Sequence, residues 1–335
     1  MTTGMSCPRS TAAALALPAV ALVLTAAPSL QPPLGLDALM PVPADNPLTP
    51  ERVALGRKLF LDPILSADRS ISCASCHDPE RSFTDNRPKS VGVSQRVGPR
   101  RVPKLLNRGY GRSFFWDGRI RTLEEQVLQP VTNTLEMDLG LSEAVERLRA
   151  EAAYASGFRK AFGRQPNQDD LARALASYVR TILSGDSRYD RYVAGDPEAL
   201  DPTERLGLEV FRTKGNCVTC HLGPNLTDER FHNTGIGFRD GRIDDDGRFT
   251  VTGREQDRGA FKTPTLRNVA ETAPYMHDGS IETLEDVIDD YDEGGTANPY
   301  LDREMTKLGL TESEKAALAA FLKALSGPVR EGFQP

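Results

Sequence analysis

The chain has 335 residues, 39% of them hydrophobic, and a formal net charge of −6, enough chain for two domains of ordinary size. The mild acidity argues against a nucleic-acid partner, which calls for a clustered basic surface, and neither requires nor excludes a basic protein partner. Cysteine is scarce, five in all, so its role has to be read from position.

The first residues differ in composition from the rest. Arg9 supplies a positive charge, Thr11 to Ala27 is an Ala/Leu-rich apolar run, and Thr25-Ala26-Ala27 offers small residues for cleavage. This pattern reads as a secretory signal over residues 1–27. An uncleaved N-terminal anchor is the alternative, because the run falls only just short of a membrane span. Both readings put the body outside the cytoplasm, and the first puts it in the periplasm. Residues 28–47 are rich in proline (Pro32, Pro33, Pro41, Pro43, Pro47) and read as an extended lead-in rather than core.

Next comes an amphipathic stretch, Leu55-Gly56-Arg57-Lys58-Leu59-Phe60, and then Cys73-Ala74-Ser75-Cys76-His77. C-x-x-C-H is the attachment signal of c-type haem. Its two thiols bond the porphyrin and the adjacent His offers an imidazole to the iron. The pair recurs further on. Leu206-Gly207-Leu208-Glu209-Val210-Phe211 precedes Cys217-Val218-Thr219-Cys220-His221. A disulfide, a redox dithiol or half a zinc site would also use paired cysteines. A zinc ribbon, however, spaces its pairs by about 15–20 residues, and a dithiol has no need of the following His. Two covalent haems in one chain is the reading that uses every residue of both runs. Four cysteines are then consumed, and Cys7 falls in the signal.

Between and after the two runs the pattern is helical. Asp170 to Leu183 places Leu171, Ala174, Leu175, Tyr178, Val179 and Ile182 on one face. Thr122-x-x-Glu125, Thr283-x-x-Asp286 and Thr311-x-x-Glu314 open three more helices. Asp186 to Asp201, rich in Gly, Pro and Asp, is the expected boundary, and residues 223–262 are rich in loops. The fold class is therefore mainly α: two cytochrome-c-like haem domains, 48–195 and 196–335, with long ordered loops. His77 and His221 are the proximal ligands. No His lies between Asp78 and Cys220, so the first iron lacks a histidine from its own domain on its other side. An open iron is a catalytic or sensing iron, whereas a six-coordinate one is an electron carrier.

Several further segments carry a resemblance. Phe115-Trp116-Asp117-Gly118-Arg119, Leu123-Glu124-Glu125-Gln126, Pro130, Glu136-Met137, Phe231-His232-Asn233-Thr234-Gly235, Gly259 to Asn268 and Ala273 to Ser280 occur in this order around the two haem sites. Over residues 48–327 the chain resembles the bacterial dihaem cytochrome c peroxidases. The resemblance implies that Trp116 lies between the haems and helps to carry electrons. It also implies that Gln126 and Glu136 line the distal pocket of the first haem. By themselves these residues read as a core aromatic and as solvated polar side chains. The family's usual sixth ligand to the second iron, a Met fourteen residues after the His of the H-D-G run, is here Tyr291. This resembles the tyrosine-ligated, MauG-like branch. Helical spacing alone would make Tyr291 a core residue, and Met276 and Met305 are rival ligands. A phenolate ligand favours the higher oxidation states of iron, and axial ligands move haem potentials over about 0.8 V. Arg119, Arg258 and Arg267 are candidates for haem propionates. His232 and His277 are expected to support the site by hydrogen bonds. The resemblance also raises a calcium ion between the domains. Thr272 and Pro274 match two of its contributors, but Arg101 stands where the third is usually Asn, and Arg cannot ligate calcium.

The activity expected is reduction of hydrogen peroxide at the first haem, with electrons from a small cytochrome or cupredoxin. The second haem would store or relay oxidising equivalents. A MauG-like oxidase acting on a partner protein by long-range radical transfer is the alternative. A non-enzymatic dihaem electron carrier is a third reading, which the open first iron disfavours.

Overall fold

Each haem-attachment run is reached through a helix whose start is set by local chemistry. In the computed structural model, which describes residues 1–5 and 30–333, α1 spans Pro50–Leu61. The Thr49 side chain accepts from the Arg52 amide, and Pro50 sits at the first turn, where its missing N–H costs nothing. After α2 (Leu141–Ala150) and α3 (Ala152–Phe162), α4 spans Gln168–Arg180 and is capped by Asn167. In the second half, α5 (Pro202–Arg212) starts from a reciprocal Asp201–Glu204 cap with Pro202 following it. Then come α6 (Leu284–Asp292), capped by Thr283, and α7 (Glu312–Lys323), with the expected Thr311–Glu314 capping box.

One helix crossing makes the core of each half, and both crossings turn on a glycine. A Cβ on Gly56 would lie 1.9 Å from the Ala174 carbonyl oxygen, and one on Gly207 would lie 1.9 Å from the Ala317 carbonyl oxygen. Only hydrogen allows the α1–α4 and α5–α7 backbones to approach this closely. Around the first crossing gathers a buried cluster that runs from Val53 to Ile182, and around the second one that runs from Leu200 to Leu325. Strands are minimal among the described residues: three antiparallel pairs of two residues each. Leu183–Ser184 pairs with Val329–Arg330, Phe231–His232 with Phe261–Lys262, and Phe238–Arg239 with Arg242–Ile243.

Three features depart from what the sequence leads one to expect. The helix expected to reach Leu183 stops at Arg180 because Asn107 claims the next backbone groups. Its amide donates to the Ile182 carbonyl, and its side chain accepts from the Ser184 amide. The proline-rich lead-in is packed rather than free. Asn46 is fully buried, with its side-chain amide donating to Glu124 at 2.7 Å and to the Arg173 carbonyl at 3.1 Å. The C-terminal tail returns to the first half, where Glu331 pairs with Arg57 at 2.8 Å and the Gly332 amide donates to Thr181. The signal expected over 1–27 lies almost wholly outside the described residues. Among those described, no helix is long and apolar enough to cross a membrane.

Candidate functional site: two cavities with a common wall

The attachment runs form single tight turns, helical at Cys73–Cys76 and 3-10 at Cys217–Thr219. In each, the His amide donates to the first Cys carbonyl at 2.9 Å. The imidazoles are held alike. His77 Nδ1 lies 3.1 Å from the Phe83 carbonyl, and His221 Nδ1 lies 3.1 Å from the Leu226 carbonyl. Nδ1 must therefore carry the proton, which leaves Nε2 with a free lone pair. Phe83 and Leu226, the residues that present these carbonyls, both adopt the left-handed backbone region. Burial lowers both His pKa values to about 4, so the rings are neutral, as an iron ligand must be. Burial also pushes the thiols up, to about 12 for Cys73 and Cys217 and about 11 for Cys76.

Cys73, Cys76 and His77 line a cavity of about 630 Å³ that also receives Trp116, Gln126 and Glu136. Gln126 ends a short helical turn capped by Thr122. Glu136 sits on a loop pressed against Gly92, where a side chain would collide with the Leu135 carbonyl at 2.2 Å. The Val93 amide donates to the Glu136 carbonyl at 2.8 Å, and Asn133 Nδ2 donates to Glu136 Oε1 at 2.6 Å. Burial raises the Glu136 pKa, while Asn133 and Arg119 act against that rise.

Cys217, Cys220 and His221 line a second cavity of about 230 Å³, together with Tyr291, Met276 and Met305. Tyr291 reaches it from α6. Burial raises its hydroxyl pKa, and Cys217 and Asp290 add to the effect, so the phenol stays protonated unless a cation is brought to it. Cys220, Asp228 and His232 come within metal-binding distance of one another. Cys220 belongs to the attachment run, however, and as a thioether it offers no anionic sulfur. His232 lies between Asp302 at 2.5 Å and Asp228 at 3.0 Å. Its pKa is raised to about 10 by Cys220 first and then, against burial, by those carboxylates. The Cys220 share disappears once that sulfur is bonded to haem. The donor sets of both cavities fit covalently attached haem.

The two cavities share a wall, and the wall shows an internal repeat. Pro103-x-Leu105-x-Asn107 and Pro264-x-Leu266-x-Asn268 are equivalent, and so are Trp116 and His277 in their x-Asp-Gly turns. The Arg101 amide donates to the His277 carbonyl at 2.8 Å, and its counterpart, the Lys262 amide, donates to the Trp116 carbonyl at 2.8 Å. Trp116 Nε1 donates to the Arg101 carbonyl at 2.9 Å. Trp116 lines both cavities, and His277 stacks on Phe261 with ring centroids 3.5 Å apart.

Of the arginines proposed for haem propionates, Arg119 lines the first cavity, but Arg258 and Arg267 line neither. Arg258 is held by Asp246 and Glu255, and Arg267 is buried against Asp190 and the Gly35 carbonyl. The cations that face both cavities are Arg101, Lys104 and Lys262. Among the described residues Lys104 donates to the Arg267 carbonyl alone, at 2.7 Å, and burial lowers its pKa to about 7. Burial lowers Lys262 to about 8, against the pull of Glu229. The repeated basic-x-Pro steps, Arg101-Val102-Pro103 and Lys262-Thr263-Pro264, were the signal that could have found two of them. At the calcium position, the Thr272 carbonyl already accepts from the Arg101 guanidinium.

Residues 50–198 match the family model described as di-haem cytochrome c peroxidase, and residues 205–326 match cytochrome c. The chain is 41% identical to the methylamine utilization protein MauG of Methylorubrum extorquens, over 85% of this chain and 81% of that one. It is 35% identical to the cytochrome-c peroxidase IdrP1 of Pseudomonas sp. strain SCT, over 88% and 86%. A solved MauG-like protein associated with microbial copper homeostasis superposes with a TM-score of 0.82 at 37% identity, covering 90% of this chain and 94% of that one.

Proposed function

The chain belongs to the dihaem cytochrome c peroxidase and MauG family, a group of haem-dependent oxidoreductases, and from that premise we propose that it reduces hydrogen peroxide in the first cavity, at Glu136 and Gln126. The observation that carries the reading is the company His77 keeps. Gln126 and Glu136 share its cavity, and no second histidine lines that cavity among the described residues. Haem, when bound, supplies an iron that takes peroxide and exchanges electrons.

The chain's own residues do the rest. His77 offers Nε2 while Phe83 holds the opposite nitrogen. Glu136 takes the proton from the near peroxide oxygen and returns it to the departing one, a service worth about 10²–10⁴-fold. Asn133 fixes that carboxyl, and Gln126 orients the substrate by hydrogen bonding. Trp116, which lines both cavities, carries electrons between them. Tyr291 and His221, which line the second cavity, would hold the second iron, and an anionic oxygen there would favour its oxidised states. The protein is exported to the periplasm and draws electrons from a small cytochrome or cupredoxin. A MauG-like action on a partner protein is the second reading. Its support is Tyr291 in the second cavity together with the likeness to MauG. The single tryptophan of the chain weakens close equivalence.

The test is an EPR spectrum of the resting holoprotein, then rapid mixing with peroxide and reduced cytochrome c. A high-spin ferric signal and catalytic oxidation of the donor are expected. A high-spin signal with a long-lived oxidised state and no donor turnover would favour the second reading. A sample with no high-spin signal that ignores peroxide would sink both.

A further inference from the structure

Arg101 lies in the wall between the cavities with 6% of its surface exposed. Its guanidinium has no carboxylate hydrogen-bond partner among the described residues. Nη2 donates to the Thr272 carbonyl and, at 3.5 Å, to the Thr84 hydroxyl, while Nε is buried without a partner. Burial lowers its pKa to about 10, and Asp85 resists the fall, so the group is a cation at neutral pH. Its backbone ties the two halves together. The N–H donates to the His277 carbonyl at 2.8 Å, and the C=O accepts from Trp116 Nε1 at 2.9 Å. The equivalent position in the other half is Lys262, a second buried cation, whose amide holds the Trp116 carbonyl. Arg101 and Lys262 thus hold matching places of the repeat in the common wall, with Lys104 as a third cation beside them.

We infer that the Arg101 guanidinium is the cation that stands on the Thr272 carbonyl, where the resemblance expects a calcium ion, and that the wall between the two haem sites is set without a divalent metal. Calcium requires about 6–8 oxygen ligands. Arg101 supplies N–H donors only, and its charge repels a metal from the carbonyl it occupies. Tethered to both halves, it also holds Trp116 through its own carbonyl, which makes it a positioning residue. The inference needs two attached haems but not peroxide turnover, and its test does not read turnover.

Holoprotein carrying both haems is dialysed against EGTA. Its calcium is measured by mass spectrometry before and after that dialysis, and its haems are followed by EPR and absorbance at both stages. No stoichiometric calcium and unchanged spectra are expected. Arg101→Leu, with both haems retained, is expected to shift the EPR signals of at least one haem, with no recovery in calcium chloride. Arg101→Lys, which keeps the charge, is expected to restore most of the original signals. Stoichiometric calcium in the wild type, with spectra that change on its removal, would overturn the inference. So would an Arg101→Leu holoprotein with wild-type EPR signals. Should that variant fail to fold, the wild-type calcium content decides the matter.

Discussion

Glu136→Gln preserves the size of the side chain and an oxygen that can still accept from Asn133, now 2.6 Å away. It removes the proton acceptor alone. If that carboxylate performs the general acid–base step, the rate of reaction with peroxide falls by about 10²–10⁴-fold, or about 2.7–5.4 kcal/mol of transition-state free energy. The environment adds a second, sharper expectation. Burial holds the Glu136 pKa above the ordinary carboxylate value, against Asn133 and Arg119. A base works only when ionised, so the wild-type rate should rise with pH through that raised pKa and then level off. Glu136→Gln should lack this limb. Asn133→Ala removes a hydrogen bond that favours the ionised form, so its limb should move to higher pH. Stopped-flow bleaching of the Soret band at excess peroxide, across acid and neutral pH, reads both effects. A near wild-type rate in Glu136→Gln with both haems in place would refute the reasoning. A limb displaced to lower pH in Asn133→Ala would refute the electrostatic part.

Tyr291→Met should raise the reduction potential of the second haem and make prior reduction necessary for peroxide reactivity; a redox titration that finds the potential unchanged removes Tyr291 from the iron. Burial pushes the Glu229 carboxyl up, but Arg108 and Lys262 outweigh it and hold its pKa at about 2, well below the ordinary carboxylate range. A depressed carboxylate stabilises the fold above its unfolded pKa, and that stability is lost as pH falls through the folded value. Glu229→Gln should therefore lose roughly 3 kcal/mol in denaturant unfolding at neutral pH, the free energy of moving a proton equilibrium that far. The difference should close as pH drops towards 2, and an equal loss at both ends would count against the ion pair. Gly207→Ala places a methyl group 1.9 Å from the Ala317 carbonyl. Overpacking of this kind costs about 1–3 kcal/mol, and unchanged stability in urea would mean that the α5–α7 crossing gives way freely.

The legible parts of this protein are those in which a short run of residues does its work locally. Cys73 to His77 and Cys217 to His221 close one turn each. Thr283 and Thr311 cap helices within three residues of themselves, and Gly56 and Gly207 mark the approach helices of a repeat. What escaped was the second half of that repeat. Gly56 only makes sense beside Ala174, and Gly207 beside Ala317, partners more than a hundred residues away. Lys262 likewise reads as an ordinary basic residue until its amide is seen holding Trp116. Asn46 looked like part of a solvated lead-in, and its burial depends on Glu124 and Arg173. Arg258 and Arg267 were plausible anion holders by charge alone, yet Asp246, Glu255 and Asp190 had already taken them.

The order of residues alone decided the cofactor, because thioether attachment and proximal ligation need five consecutive residues and nothing else. It also decided the count of haem-attachment runs. Which side chains face which cavity was settled only by the packing of two similar halves against each other. A buried cation can persist only where distant carbonyls and carboxylates converge on it, and no local pattern reports that convergence.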